Sequence, residues 1–549
     1  MSSTSPAASS PFLPKLVTVL REGYGPGDLR ADAAAGLTVA IVALPLSMAI
    51  AIASGVGPER GLVTAIVGGF LVSLLGGSRF QIGGPAGAFI VLVSACVAEI
   101  GLPGLILATA LSGVVLTLAG WLRLGSYIRF MPYPVIVGFT AGIAVIILVS
   151  QIPELFGLSL AGGEPHSLAG RLTAFWQARS SVSPAAVGVA LATIGVIAMV
   201  KRLRPGWPGM LVAVALASLA VAGLGLDVAT LSSRFGALPR FLPAPALPET
   251  DWAAVRAAMP FAVGFTLLGA VESLLSAVVA DGMTGRAHRS NAELVAQGLA
   301  NIGASLFGGF CVTGTIARTA TNVRAGARGP VSGMLHAVFL LAIMAVAAPL
   351  AGYIPLAALA GVLVVVAWNM LEREAAWQLL RTSRGDALVL SATLLLTVFR
   401  DLTEAIVVGF ALGGLVFIRR MSETAQVESD DDGEAPYDGG GADDGVMVYR
   451  IRGALFFGAA AAIGSVLDRI AERPRALILD LGDVAVLDST GARAIALLAQ
   501  KLQRRDGQLY LSGASPALLP ALRGAGAVAP LVRLCADRAE ARAEARRRA

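Results

Sequence analysis

Cysteine, histidine and charge are all scarce in this chain of 549 residues, which holds three cysteines, three histidines and only 14% charged residues. Cys96, Cys311 and Cys535 lie far apart, so no disulfide framework is expected. His166, His288 and His336 are equally scattered, which leaves no cluster of metal-ligand spacing and no nucleophile motif. Hydrolytic or metal chemistry in the apolar part has no residues to run on. Neither an enzyme nor a cofactor is therefore expected. The net charge of +6 is no argument for nucleic acid, because the basic residues mostly sit in short loops.

Apolar residues are abundant instead, at 56% of the chain with a mean hydropathy of +0.75, whereas soluble domains carry about a quarter charged residues. Runs long enough to cross a bilayer recur from Ala31 to about Ile418, and roughly twelve to fourteen spans are expected, several of them short or broken by Gly and Pro. Residues 1–30 lack the apolar core and cleavage site of a signal peptide and are expected to stay in the cytoplasm. Lys and Arg cluster in alternate loops: at Arg79, at Arg123 and Arg129, at 201–204, at Arg286 and Arg289, at Arg324 and Arg328, at Arg381 and Arg384, and at Arg419 and Arg420. The positive-inside rule makes those loops and both termini cytoplasmic, as in a multi-pass protein of the cell's inner membrane.

Beyond Arg420 the character changes. Residues 421–445 are acidic and Gly-rich and read as a linker between a membrane domain at 31–420 and residues 446–549, where strand-like and helix-like runs alternate as in a small α/β domain. The tail "RAEARAEARRRA" reads as a charged helix with a solvated face, a lipid-binding basic patch being the alternative.

Two stretches of the membrane part break the helical pattern in the same way, "FQIGGPAGAFIVLVSAC" and "GGFCVTGTIARTATNV". Each reads as an extended segment feeding a half-length helix, the device by which transporters hold ligands at mid-bilayer, with re-entrant loops of purely structural use as the alternative. Helix N-termini near Ala86 to Ala88 and Thr315 to Ala317 would each present unpaired N–H groups and about half a positive charge. Arg318 adds a full charge in the first turn of the second half-helix, and its negative partner is either an anion or Glu272, the other conspicuous intramembrane charge. Burial favours a protonated carboxyl and a nearby arginine an ionised one, so a glutamate poised between them can carry protons. A sodium ligand and a structural partner of Arg318 are the other readings of Glu272.

The stretches "VVADGMTGRAHRSNAELVAQGLANIGASLFGGF", "GLTVAIVALPLSMAIA" (36–51), "IGGPAGAF" (82–89) and "MPYPVIVGFTAGI" (131–143) together resemble the SulP family of anion transporters, called solute carrier family 26 in animals. "LILDLGDVAVLDSTGARAI" resembles the STAS domain that follows the transporter there. The resemblance runs from about residue 15 to about residue 540. It implies an all-α polytopic fold of two inverted seven-span repeats with core and gate subdomains, an elevator motion, homodimeric assembly and a cytoplasmic STAS domain open to protein partners. Carried over position by position, the anion site takes Ala43, Leu46 and Ser47, then Ala86 and Gly87, then Thr315, Ile316, Ala317 and Arg318. Relatives that bind sodium have an aspartate where this chain has Glu272 and a hydroxyl residue in place of Ile316, and both departures favour protons. Related anti-sigma factor antagonists are phosphorylated at the position matching Thr490, a regulatory site set against plain helix capping by Asp488 or Ser489.

The expected function is secondary active, proton-coupled uptake of a small anion, sulfate first, with bicarbonate or a C4-dicarboxylate as alternatives. A nucleobase permease of the same fold leaves Arg318 unexplained, and a sensor would bind anion without accumulating it.

Overall fold

The computed structural model describes residues 11–128, 132–160, 168–204, 207–248, 250–400, 402–423, 426–429, 446–455 and 475–548. Arg129, Met131, His166, the linker residues 430–445 and the helix-like run at 460–473 lie outside them. The chain divides into two compact units, Met1–Phe410 and Ala411–Ala549.

The first unit is helical. Its elements begin with α1 (Lys15–Gly23), α2 (Pro26–Ala53), α3 (Pro58–Val63) and α4 (Gly69–Leu75), then a two-residue strand β1 (Gly83–Gly84) and α5 (Ile90–Trp121). There follow α6 (Gly125–Ile128), α7 (Tyr133–Ser150), α8 (Ile152–Phe156), α9 (Leu168–Gln177), α10 (Pro184–Leu203), α11 (Gly209–Leu224), α12 (Leu231–Phe235), α13 (Trp252–Thr284) and α14 (Ser290–Leu306). The strand β2 (Thr313–Gly314) leads into α15 (Ile316–Arg324), and α16 (Val331–Ala351), α17 (Leu356–Met370), α18 (Arg373–Thr382) and α19 (Arg384–Phe399) follow; α20 (Leu402–Glu423) spans the division at Phe410.

Among the described residues, eight segments are long and apolar enough to cross a membrane by length and composition. Shorter and broken apolar helices stand beside them, as the Gly and Pro of the sequence led us to expect. Helices such as α11 and α19 have 16 residues each, short of the ~20 a bilayer needs without tilt or thinning. α5 is in fact two helices joined at Gly101, whose φ of 71° and ψ of −176° only glycine adopts cheaply, with Pro103 opening the second piece. The first piece is thus a half-length helix, like the nine-residue α15.

β1 and β2 pair antiparallel, Gly83 with Gly314 and Gly84 with Thr313. A two-residue ladder has no stability of its own, so buried side chains hold this non-helical backbone in place. Asn301 brackets Val312, its Nδ2 donating to the carbonyl and its Oδ1 accepting from the amide, each at 2.9 Å. Thr319 Oγ1 accepts from the Ile82 amide at 3.2 Å and from Ser276 Oγ at 3.0 Å. Gln81 Nε2 donates to the Ser273 carbonyl at 3.1 Å, and Asn322 Nδ2 to the Phe80 carbonyl at 2.9 Å. These polar residues inside an apolar bundle satisfy backbone groups that water cannot reach.

The second unit holds a five-stranded sheet in sequence order, β3 (Gln426–Ser429), β4 (Val446–Leu455), β5 (Ala476–Leu487), β6 (Gln508–Ser512) and β7 (Val532–Cys535). β3 is antiparallel to β4, and the rest are parallel. β3 falls inside the segment read from sequence as linker. Helix α21 (Ser489–Gln503) buries Ile495, Leu498, Ala499 and Leu502, one face of a 3.6-residue period. Asp488 caps it, accepting from the Gly491 amide at 2.7 Å, so of the two capping candidates the aspartate serves. Thr490 sits half-buried in the first turn. After α22 (Leu519–Gly524), α23 (Arg538–Arg548) carries the tail. Its reading as a solvated helix needs correction on one face: Ala541 and Ala545, four residues apart, are fully buried in the cluster of Ile478 and Tyr510.

Candidate anion site

The two half-helices start beside one another. Ala86 is the N-cap of a single 3-10 turn, Gly87–Phe89, that feeds α5, and Thr315 is the N-cap of α15. The Thr315 amide donates to the Ile82 carbonyl at 3.0 Å, which ties the second start to the strand before the first. Both ends line one cavity of about 300 Å³. Its walls come from α2 (Val42, Leu46, Ile50), from the two breaks (Pro85 to Ala88 and Thr315 to Arg318), and from α7, α13 and α17. The first-turn amides of a helix have no intrahelical acceptor. Together the two ends bring about one positive charge to the cavity.

Arg318 is 1% exposed. Its Nη2 donates to Ser47 Oγ at 3.1 Å and to the Pro85 carbonyl at 3.2 Å, while Nε and Nη1 have no partner. A guanidinium has five N–H donors, so two are used and three are not. Leaving that many donors of a buried cation unmatched costs several kcal/mol, which a ligand at this point would recover.

Glu272 lines the same cavity from α13, half-buried, with Oε2 screened from solvent and unpartnered. Among the described residues it makes no contact ion pair with Arg318, since no nitrogen–oxygen approach within 4.0 Å joins them. Both charged groups line the cavity, near enough to feel each other's charge but without a contact ion pair.

Of the residues singled out by sequence, Leu46, Ala86, Gly87, Glu272, Thr315, Ile316, Ala317 and Arg318 line the cavity. Ala43 and Ser47 do not. Ser47 stands behind Arg318 as its acceptor, and Ala43 one turn earlier gives its carbonyl to the Ser47 hydroxyl at 2.7 Å. Sequence reasoning missed the opposite wall, where α7 supplies Val135, Phe139, Thr140 and Ile143 and the end of α17 supplies Asn369 and Met370. The one signal there was polar: Asn369 and Glu372 interrupt an apolar run, and the Tyr133 hydroxyl donates to Glu372 Oε2 at 3.3 Å. Thr490 belongs to the other unit.

Gly84 makes the arginine's position possible. A Cβ on Gly84 would lie 2.0 Å from Arg318 Nη1, the far end of a flexible side chain. The φ of 157° at Gly84 is one that side chains rarely adopt, so Gly84→Ala is expected to cost stability and also to push the guanidinium off the site, lowering anion affinity about tenfold, the worth of one charge-assisted hydrogen bond. Thermal unfolding and equilibrium anion binding, measured on the same preparation, check this: unchanged affinity in the folded variant contradicts it.

Half-helices meeting over a buried arginine inside a multi-span bundle, followed by an α/β unit, define a polytopic transporter of the anion-carrying class. The chain belongs to the sulfate permease (SulP, solute carrier 26) family, whose sequence pattern it matches over residues 29–393, and the STAS domain pattern matches residues 442–541. The putative sulfate transporter YvdB of Bacillus subtilis is 39% identical over 495 residues, covering 90% of this chain and 93% of its own. The bicarbonate transporter BicA of Picosynechococcus sp. is 31% identical over 513 residues, 89% of each chain. The solved transmembrane domain of a cyanobacterium BicA superposes with a TM-score of 0.63 at 34% identity, over 70% of this chain and 98% of that one. The murine solute carrier 26 family member A9 superposes over 99% of this chain and 96% of its own with a TM-score of 0.83. At 18% identity, that match bears on the fold alone.

Proposed function

We propose that this protein is a proton-coupled importer of a small oxyanion, sulfate first, in the inner membrane of the cell. The observation that carries the reading is Arg318, buried between two helix N-termini with three N–H donors unspent. With Glu272 protonated, the arginine and the two helix ends amount to about two positive charges, which suits a divalent anion such as sulfate. With Glu272 ionised the balance falls to about one, which suits bicarbonate, the second reading, favoured also by the BicA likeness. The apolar remainder of the lining removes water, so these charges act at low dielectric.

In this reading α2, α5, α13 and α15 carry the ligand past a wall built by α7 and α17, an elevator motion within a homodimer whose termini are cytoplasmic. Residues 31–420 form the carrier, 421–445 join it to the STAS domain of 446–549, and Thr490 is that domain's candidate point of control by phosphorylation or a protein partner. Labelled sulfate, bicarbonate and a C4-dicarboxylate, offered to proteoliposomes with and without an inward proton gradient, test the proposal. Accumulation of sulfate only with the gradient supports it. Binding without accumulation returns the protein to the sensor class.

A further inference from the structure

A second cavity of about 280 Å³ continues the first along the same helices. On α2 the lining moves from Val42, Leu46 and Ile50 to Ile52 and Ala53, with Gly55 just beyond its end. On α7 it moves from Val135–Ile143 to Ile146 and Ser150, with Gln151 next, and from Ala86–Ala88, just ahead of α5, to Ile90, Val91, Ser94 and Ala98 on its first half. At 1.5 Å per residue the two linings together run about 24 Å, from Val135 to Gln151, much of a ~30 Å bilayer core, with the first cavity toward the Val135 end and the second toward the Gln151 end. Isoleucine side chains close the passage between them. Ile50, Ile90, Ile143 and Ile147 are buried to within 2%, and a Cβ on Gly87 would already stand 3.3 Å from Ile147 Cδ1.

The second cavity differs from the first in chemistry. Ser94, Ser150, Gln151, Glu154, Arg171 and Arg234 make its polar lining. Arg234 is delivered by α12, a single turn capped by Thr230 and pinned to the α16–α17 turn by three backbone bonds: Leu231 to Ile354, Ser232 to Gly352 and Leu356 to Ala229, at 2.9, 3.0 and 2.9 Å. This rigid support holds a guanidinium that is 53% exposed and ion-paired with Glu154, itself 25% exposed. Such solvent-reached pairs contribute little, so an arriving oxyanion, which a guanidinium binds in the same bidentate manner as a carboxylate, can take Glu154's place at small cost.

Resting on the function proposed above, we infer that this second cavity is a low-affinity collecting site for the transported oxyanion on the face opposite the main cavity. Arg234 is its ligating side chain and Glu154 its resident competitor. An exposed guanidinium in a cleft between low-dielectric walls raises local anion concentration and entry rate, and the isoleucine layer is what must part for the ligand to pass on to Arg318.

Two variants of opposite sign test this. Arg234→Gln should raise the KM for sulfate entering from the second cavity's face about three- to tenfold and leave entry from the other face unchanged, and Glu154→Gln should lower the same KM. A merely structural ion pair predicts instead that both variants impair transport alike and from both faces, which overturns the inference. A readout independent of transport is the labelling of Ser94→Cys, the three native cysteines being buried, by an anionic and by a neutral methanethiosulfonate. The anionic-to-neutral rate ratio should fall at least threefold with Arg234→Gln and rise with Glu154→Gln. If the ratio moves so but no anion is transported, the collecting site stands and the transport reading fails. If sulfate is transported and the ratio is unmoved, the collecting site fails and the transport reading stands.

Discussion

Arg318→Ala is expected to reduce anion uptake by about 100-fold or more while the protein still inserts and remains folded. The magnitude follows from the site: removing the charged partner of a buried ionic contact costs about 3–5 kcal/mol, roughly two to three and a half powers of ten in affinity. The fold should tolerate the change because Arg318 makes only two hydrogen bonds, to Ser47 and Pro85, and leaves three donors unmatched. Its removal even relieves a desolvation cost. Uptake in proteoliposomes, normalised to correctly folded protein, checks this. Near wild-type uptake in a well-folded Arg318→Ala protein means that the ligand's charge is met elsewhere.

Glu272→Gln is expected to separate binding from energy coupling. The amide fixes the side chain in its neutral form, so anion should still bind and exchange across the membrane, but accumulation against a gradient should vanish. Because an ionised Glu272 faces the same cavity as Arg318 and the helix ends, it competes with the anion for their field, and protonation and anion binding strengthen each other by one shared factor. In the wild type, affinity should therefore weaken as pH rises through the titration of Glu272, because the proton that favours binding is lost. In Glu272→Gln that dependence should flatten. Full proton-driven accumulation by the variant places the coupling group elsewhere.

Much of this arrangement was legible in the sequence because it is written in charges and in Gly and Pro, all conspicuous against an apolar background. Arg318, Glu272 and the two breaks stand out for that reason, and the antiparallel meeting of Gly83–Gly84 with Thr313–Gly314 brings the breaks together. The wall facing them was not legible. Val135, Phe139 and Ile143 look the same whether they face a cavity or lipid, since the bilayer is as apolar as the lining. Ser47 was read as an anion ligand; in the structure its hydroxyl accepts from Arg318 Nη2, a pairing that sequence does not reveal. Several helices are short or broken, as read from the sequence: α11 and α19 have 16 residues each, and α5 divides at Gly101.

The most direct measurement is an experimental structure of the protein in lipid, with selenate supplied as an electron-dense sulfate analogue. Density is expected in the cavity between Ala86–Ala88 and Thr315–Arg318, within hydrogen-bonding distance of Arg318 Nε and Nη1. Selenate bound elsewhere, with Arg318 drawn onto Glu272 in a closed ion pair, contradicts the assignment of Arg318 as the anion's partner.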